Sequence, residues 1–358
     1  MGLPVCLISG DGIGPEVTAA ARHVLDESGV AIDWQPIELG EAAYREGGQA
    51  IPEAAVAAIR DCGLALKGPI ATRSDAPFPS VNVALRERLN LFLGVRPCRA
   101  LPGARTAFPG ADLVVLRMLD GDLYAGADYP ADHPTAATLR DVVTASGVLT
   151  LSDDTAISVK PISRADSERA AAAAFRWMLE NGRERLTVVH KANVMRGSDG
   201  AFLDATRAAA RAFPKLSVDD VLVDRACADL VREPGRFDVL FAPMLYGDIV
   251  SDLAAALCGG LGLAPGVNLG DGCAVFESVH GACEKHAGRE RANPAAAILS
   301  GALMLRHAGA GEAAARIEAA VARVVEAGKT VTYDVAKPGA ESATTAEMTA
   351  AIVRELAG

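Results

Sequence analysis

Short apolar runs alternate with amphipathic or alanine-rich stretches along most of the chain. Residues 4–9 form an apolar run, a glycine-rich turn follows, and a helical period then continues through Leu25. Pro15 suits the first turn of that helix. The alternation repeats: strand signals at 31–39 and 63–67 flank a helical stretch at 52–60. Further on, 113–116, 186–190 and 237–242 read as buried strands. Residues 165–179 form an alanine-rich helix that Ser163 or Asp166 could cap, with Gly182 just past its end. The helix through 246–257 stops at Gly259-Gly260, Asn293-Pro294 opens another through His307, and 312–326 is amphipathic. Between them, 125–162 is irregular and then strand-like at 148–151 and 156–159. Strands interleaved with helices predict an α/β layer architecture.

Composition narrows this picture. A chain of 358 residues suits two domains. At 50% hydrophobic but only 4% aromatic, its core must be built from Ala, Val and Leu. The net charge of −10 argues against a nucleic-acid or anionic-membrane surface, and it obliges an anionic substrate to find a local arginine cluster. Seven cysteines, an odd number without a C-x-x-C pair, predict a reduced, cytoplasmic location with thiols as small core residues. The first residues lack the basic and apolar regions of a signal peptide, and the longest apolar run, 253–269, is too short to span a bilayer.

Several residues carry candidate chemistry. Asp248 and Asp252, four apart, fall on one helical face, where they repel unless a cation lies between them. A solvated helix start would carry such residues too. Ser80, Asn82 and Arg86 lie close to one side of a helix start, where an N-cap serine and a surface arginine would read the same way. Lys191 stands at the C-terminal end of a strand, where α/β proteins place their chemistry, and lysine is scarce here. Gly10-Asp11-Gly12-Ile13-Gly14-Pro15 is not a dinucleotide fingerprint, because Pro15 occupies the third glycine position.

Taken in order, Tyr246-Gly247-Asp248, Gly259-Gly260-Leu261-Gly262, Asn268-Leu269-Gly270, Phe276-Glu277-Ser278-Val279-His280-Gly281 and Asn293-Pro294 closely resemble the isocitrate/isopropylmalate dehydrogenase family. These are β-decarboxylating dehydrogenases, and the isocitrate type is the nearest. The resemblance implies two α/β domains around a cleft with a mixed sheet. One domain would be 1–99 plus 252–358, which binds the cofactor; the other would be 100–251, with a dimer arm at about 125–162. It implies oxidative decarboxylation of a 2-hydroxy-3-carboxy acid, isocitrate first, with homoisocitrate, 3-isopropylmalate or a specialised analogue as alternatives. A non-catalytic regulatory subunit is the alternative of another class.

By the same resemblance Lys191 and Tyr124 are the catalytic acid–base pair, and Ser80, Asn82, Arg86, Arg96 and Arg117 bind substrate. Asp224, Asp248 and Asp252 hold Mg²⁺ or Mn²⁺, an all-carboxylate set that favours a hard cation. Thr72, Asn193, Glu277, His280, Gly281, Lys285, His286, Asn293, Tyr333 and Lys337 line the cofactor. Lys285 and His286 stand where NAD-type members carry an acidic residue, and Tyr333 and Lys337 where NADP-type members surround the 2′-phosphate. NADP is therefore expected, with NAD as the alternative. The lysine and one aspartate come from a neighbouring subunit in the family, which implies a homodimer with shared sites. The resemblance fails at 118–123 (Met-Leu-Asp-Gly-Asp-Leu, where Glu-Asn-Thr/Ser-Glu is usual), at Met244, where Asn is common, and at Ala282-Cys283-Glu284.

Overall fold

The computed structural model describes residues 2–73 and 75–358. Twelve strands form within them: β1 (Leu3–Ile8), β2 (Ile32–Pro36), β3 (Leu64–Lys67), β4 (Leu91–Arg99), β5 (Asp112–Met118), β6 (Asp128–Tyr129), β7 (Ile157–Ser158), β8 (Arg185–His190), β9 (Ser217–Leu222), β10 (Val239–Ala242), β11 (Pro265–Gly270) and β12 (Ala274–Ser278). Ten of them make one sheet in the order β2-β1-β3-β12-β11-β4-β5-β10-β8-β9. The strands β2, β1, β3 and β12 are mutually parallel, as are β5, β10, β8 and β9. Between these blocks β11 and β4 alternate in direction. The sheet is thus mixed, as expected. Strands from 1–99 and 252–358 lie together on one side, and those from 100–251 on the other, meeting at β4 and β5.

Helices cover the sheet, and their ends follow local chemistry. Gly14–Asp26 has proline in its first turn. Arg164–Glu180 is capped by the Ser163 side chain, which accepts from Asp166 N–H. Met244–Leu257 ends where Gly259 and Gly260 take φ values of 122° and 112°, open only to glycine. Small residues recur in the core: Ala295–His307 buries six residues that are alanine, serine or glycine. A second apolar cluster lies below the pocket described next and gathers Val81, Leu85, Leu119 and Met244, with Tyr124 packed against it.

Two expectations need correction. Residues 148–151 form no strand, and Val148 is 85% exposed. The stretch read as irregular contains the helix Pro134–Ala145, followed later by β7, which pairs with β6 as a small separate ribbon. That helix buries only Ala136 and Arg140, so it carries no apolar stripe toward its own core.

Candidate active site

The site is anchored on Glu277. Its carboxylate is buried on β12, directly across from Lys67 on β3 and Gly266 on β11. Lys67 Nζ donates to Glu277 Oε2 at 2.6 Å, and Asn268 Nδ2 donates to Oε1 at 2.6 Å. Arg86 and Arg96 approach Oε1 at 3.3 and 3.5 Å. Arg96 reaches it by lying across Gly266, where a Cβ would stand 2.3 Å from Arg96 Nη1. Burial alone would raise the Glu277 carboxyl, but Lys67, Arg86 and Arg96 together outweigh it and hold it far below the usual carboxylate range. Three cations around one carboxylate leave surplus positive charge facing the cavity.

That cavity, about 110 Å³, is lined by Asn82, Arg86, Arg96, Arg117, Asp248 and Glu277 among others. Lys67 Nζ also donates to Asn82 Oδ1 at 3.1 Å, and Asn82 Nδ2 donates to the Ile70 carbonyl at 3.1 Å. The loop between is pinned from the glycine-rich turn, since Ala71 N–H donates to Asp11 Oδ2 at 2.9 Å. Ser80 stands at the N-cap of Val81–Arg88, but its hydroxyl meets Thr72 Oγ1 at 3.1 Å instead of capping the helix.

On the far wall, Arg117 of β5 extends along the helix Met244–Leu257. Its Nε donates to the Met244 carbonyl at 2.8 Å and its Nη1 to Asp248 Oδ1 at 2.5 Å. Gly247 makes this possible, because a Cβ there would sit 2.6 Å from Arg117 Cγ and 2.9 Å from Arg117 Cβ. Burial pulls the Arg117 pKa down to about 10, so it remains charged at neutral pH. The Tyr124 hydroxyl donates to Asp248 Oδ2, and Arg117 stacks 5.1 Å from the Tyr124 ring. Burial, and then Asp248, raise the Tyr124 pKa, so the phenol keeps its proton. Asp252 is raised by burial and then by Asp248, the mutual repulsion expected of their spacing.

The cofactor candidates fall into a second group. His280, Gly281 and Glu277 line the cavity. Beyond them, His286 in the short turn Glu284–His286 packs 5.5 Å from the Tyr333 ring, and Arg291 lies 5.1 Å from the same ring. Lys285 and Lys337 are exposed. Asn293 is buried, accepts from Ala295 N–H at 2.9 Å and donates to Asp334 at 2.9 Å. His280 Nε2 and His286 Nδ1 are both buried without a hydrogen-bond partner among the described residues. Two orphaned ring nitrogens beside a cationic rim fit a polyhydroxylated phosphate ligand such as a nicotinamide dinucleotide.

Lys191 and Asp224 lie elsewhere. Lys191 follows β8 and Asp224 opens the helix Val223–Arg232, next to the edge strand β9. They pair with one another, and Asn193 lies in the exposed turn beside them. Asp224 thus does not join Asp248 and Asp252 within one chain: among the described residues no group of three His, Cys, Asp or Glu side chains is placed to hold a metal ion. The two carboxylates that do converge supply hard oxygen donors, and one more ligand of the same kind would complete the expected set.

The divergent segment has a structure of its own. Leu119 and Met244 are buried in one apolar cluster, so these two departures from the family pattern pack together. Asp122 is fully buried with φ 58°, and its Oδ2 accepts from Leu245 N–H at 2.9 Å, in the first turn of Met244–Leu257. Pro243 at that helix's N-cap has no side chain able to do this. The sequence marks Asn268 as part of a family motif and Asp122 as part of the divergent segment, but gives neither a role, and it does not single out Lys160, Asp199 or Arg291. For Lys160 the rarity of lysine is a usable signal; Asp199 and Arg291 have none.

The model of the family described as "Isocitrate/isopropylmalate dehydrogenase" matches residues 4–352. The chain belongs to this family. It is 39% identical over 330 residues to the "Probable isocitrate dehydrogenase (NAD) subunit alpha, mitochondrial" of Drosophila melanogaster, covering 92% of this chain and 82% of that one. It is 38% identical over 351 residues to "Isocitrate dehydrogenase (NAD) catalytic subunit 5, mitochondrial" of Arabidopsis thaliana, covering 98% and 87%. The crystal structure of isocitrate dehydrogenase from Methylococcus capsulatus superposes with a TM-score of 0.91 at 39% identity, covering all of both chains. The fold expected from the sequence is the fold of this dehydrogenase family.

Proposed function

We propose that this chain oxidises isocitrate and removes its 3-carboxylate, passing hydride to NADP. The observation that carries the reading is the convergence of Arg86, Arg96, Arg117 and Asn82 on one small cavity beside Asp248. Each guanidinium can grip a carboxylate through two parallel hydrogen bonds, and a tricarboxylate satisfies the surplus positive charge. Asp248 and Asp252, with Asp224 from a second copy of the chain, would hold Mg²⁺ or Mn²⁺. That ion, when bound, supplies Lewis acidity toward the C2 hydroxyl and the oxygen it becomes.

The residues of the chain divide the remaining work. Lys191, arriving from the second copy, accepts or relays the C2 hydroxyl proton as hydride leaves C2. The electrons of the broken C2–H bond go to the nicotinamide, and those of the C3–carboxylate bond stay on the carbon skeleton as CO₂ departs. Tyr124, protonated and aimed along Asp248, then delivers a proton to C3.

The separation of Lys191 and Asp224 from the cavity supports a shared-site homodimer. Relatives named as subunits make a mixed assembly the competing arrangement, and the mass of the purified complex distinguishes the two. The preference for NADP rests on Lys285, His286, Arg291 and Lys337 near Tyr333; it departs from the printed cofactor of the relatives. Seven free thiols support a reducing compartment. The packed apolar pair Leu119 and Met244 favours a second reading, the same chemistry on a related 2-hydroxy-3-carboxy acid.

The test is the initial rate of reduced-cofactor formation with isocitrate and Mn²⁺, run with NADP and NAD in parallel. A rate that Lys191→Met abolishes supports the proposal. No rate with isocitrate but turnover of homoisocitrate or 3-isopropylmalate would move it to the second reading. Silence with every acid, together with co-purification of a related active chain, would replace it with a regulatory subunit.

A further inference from the structure

Three side chains assigned to the chemistry come from three separate elements: Tyr124 from the turn after β5, Asp248 from Met244–Leu257, and Lys191 from the turn after β8. One ammonium lies behind all three. Lys160 Nζ donates to Asp199 Oδ1 at 2.5 Å, lies 3.8 Å from Asp122 Oδ1 and 3.5 Å from the Tyr246 hydroxyl, and sits over the Tyr246 ring at 4.5 Å. Asp122 and Asp199 are both fully buried. The second oxygen of Asp199 accepts from the backbone N–H of Lys191 itself at 2.7 Å. The second oxygen of Asp122 accepts from Leu245 N–H, three residues before Asp248, and Asp122 stands two residues before Tyr124.

We propose that Lys160 is a positioning residue that, through Asp199 and Asp122, ties the Lys191 this chain lends to a second copy to the Tyr124 turn and Asp248 helix of its own cavity, so that one ammonium holds parts of two sites. Its chemistry suits the task. A single cation shared by two buried carboxyl groups cannot leave without exposing both to an apolar interior, so the three elements move together or not at all. Burial lowers the Lys160 pKa, but Asp199, Asp122 and Tyr246 outweigh it, and the ammonium stays charged. The network also accounts for the left-handed conformation at Asp122: the strain is held by four contacts, from Pro161 O, Leu123 N–H, Leu245 N–H and Lys160. None of these residues lines the cavity, so the network acts through the placement of the reacting groups and not through contact with the acid. The inference rests on the proposed roles of Lys191 and Tyr124.

The experiment compares Lys160→Met, Lys160→Arg and Asp199→Asn with the wild-type full-length chain. Two readouts are taken: steady-state kinetics, and amide hydrogen exchange at Leu245 and Lys191. Misplacement of the reacting groups predicts that Lys160→Met lowers kcat about a hundredfold. KM for the acid should change less than about threefold, because the binding arginines are untouched. Exchange should rise at Leu245 and Lys191 together, and Lys160→Arg should recover part of both losses. If Lys160→Met does not fold, Asp199→Asn, which keeps an acceptor for Lys191 N–H, carries the test with a smaller kcat loss of about tenfold. A folded variant with wild-type kcat, or exchange that rises at one segment only, overturns the proposal. Should the wild type itself turn over no acid, the functional reading fails, and the exchange data alone decide the network.

Discussion

Glu277 and Asp224 are both carboxylates paired with a lysine, and they differ in almost every other respect. The side chains of Glu277 and Lys67 are 8% and 3% exposed; those of Asp224 and Lys191 are 65% and 26% exposed. Glu277 is bound by two arginines and an asparagine besides its lysine. For Asp224, Lys191 is the one salt-bridge partner among the described residues. Burial magnifies both the attraction and the cost of leaving either partner alone, so the Glu277 centre is fixed by its own chain. Water screens the edge pair, which can exchange its partners at little cost. One half of the proposed site is therefore finished within the chain, and the other is displayed.

The sharpest way to break the contrast is to remove each carboxylate in turn. Glu277→Gln strands three cations and should destabilise the fold by about 3–5 kcal/mol in urea unfolding. Asp224→Asn should leave the melting temperature unchanged while abolishing turnover. Equal thermal behaviour of the two variants would erase the distinction. The shift at Glu277 also predicts an acid limb. Its folded pKa is depressed, so its contribution is complete above the ordinary value of 4.5 and is lost as pH falls below it.

Next in size, co-refolding Lys191→Met with Asp248→Asn should restore turnover that neither variant has alone, because one chain then donates an intact edge and the other an intact cavity. Continued inactivity of the mixture would mean that the edge pair is not donated. Among the exposed groups, Lys285→Asp should lower kcat/KM for NADP by about tenfold or more and shift preference toward NAD, the cost of one charge-assisted contact. The smallest effect concerns Asp120, on the divergent segment. Burial, and then Asp166, raise its carboxyl from 3.8 to about 6. A raised folded pKa means that its ionised form costs stability above about pH 6, a cost absent below about pH 4. Asp120→Asn should therefore raise the melting temperature at pH 7, with the gain vanishing in acid.

Much of this arrangement was legible beforehand, for local reasons. Period and caps give the helices at 14–26, 164–180 and 244–257, and the four-residue spacing gives the facing pair Asp248 and Asp252. The helix Pro134–Ala145 was hidden because its exposed Val142 and few buried residues give no stripe. Apolar residues at 148–151 suggested a strand because β-branched and aliphatic runs usually pair, and here they remain in solvent. The network at Asp122, Lys160 and Asp199 joins positions tens of residues apart, and no spacing rule connects them. Arg96 and Arg117 could be named from the family pattern, but only the packing of strand on strand and of strand on helix shows that they reach their partners past Gly266 and Gly247.

Gly247 carries a consequence for inheritance. Every alternative amino acid brings a Cβ, and that atom would meet the root of the Arg117 side chain, which cannot swing away as a side-chain tip could. A serine or alanine codon, the mildest one-step change, must therefore displace either the strand or the helix. With Asp248 as the very next residue, any such displacement is felt at the carboxylate first. Position 247 has no gentle neighbours in sequence space, although it bears no charge.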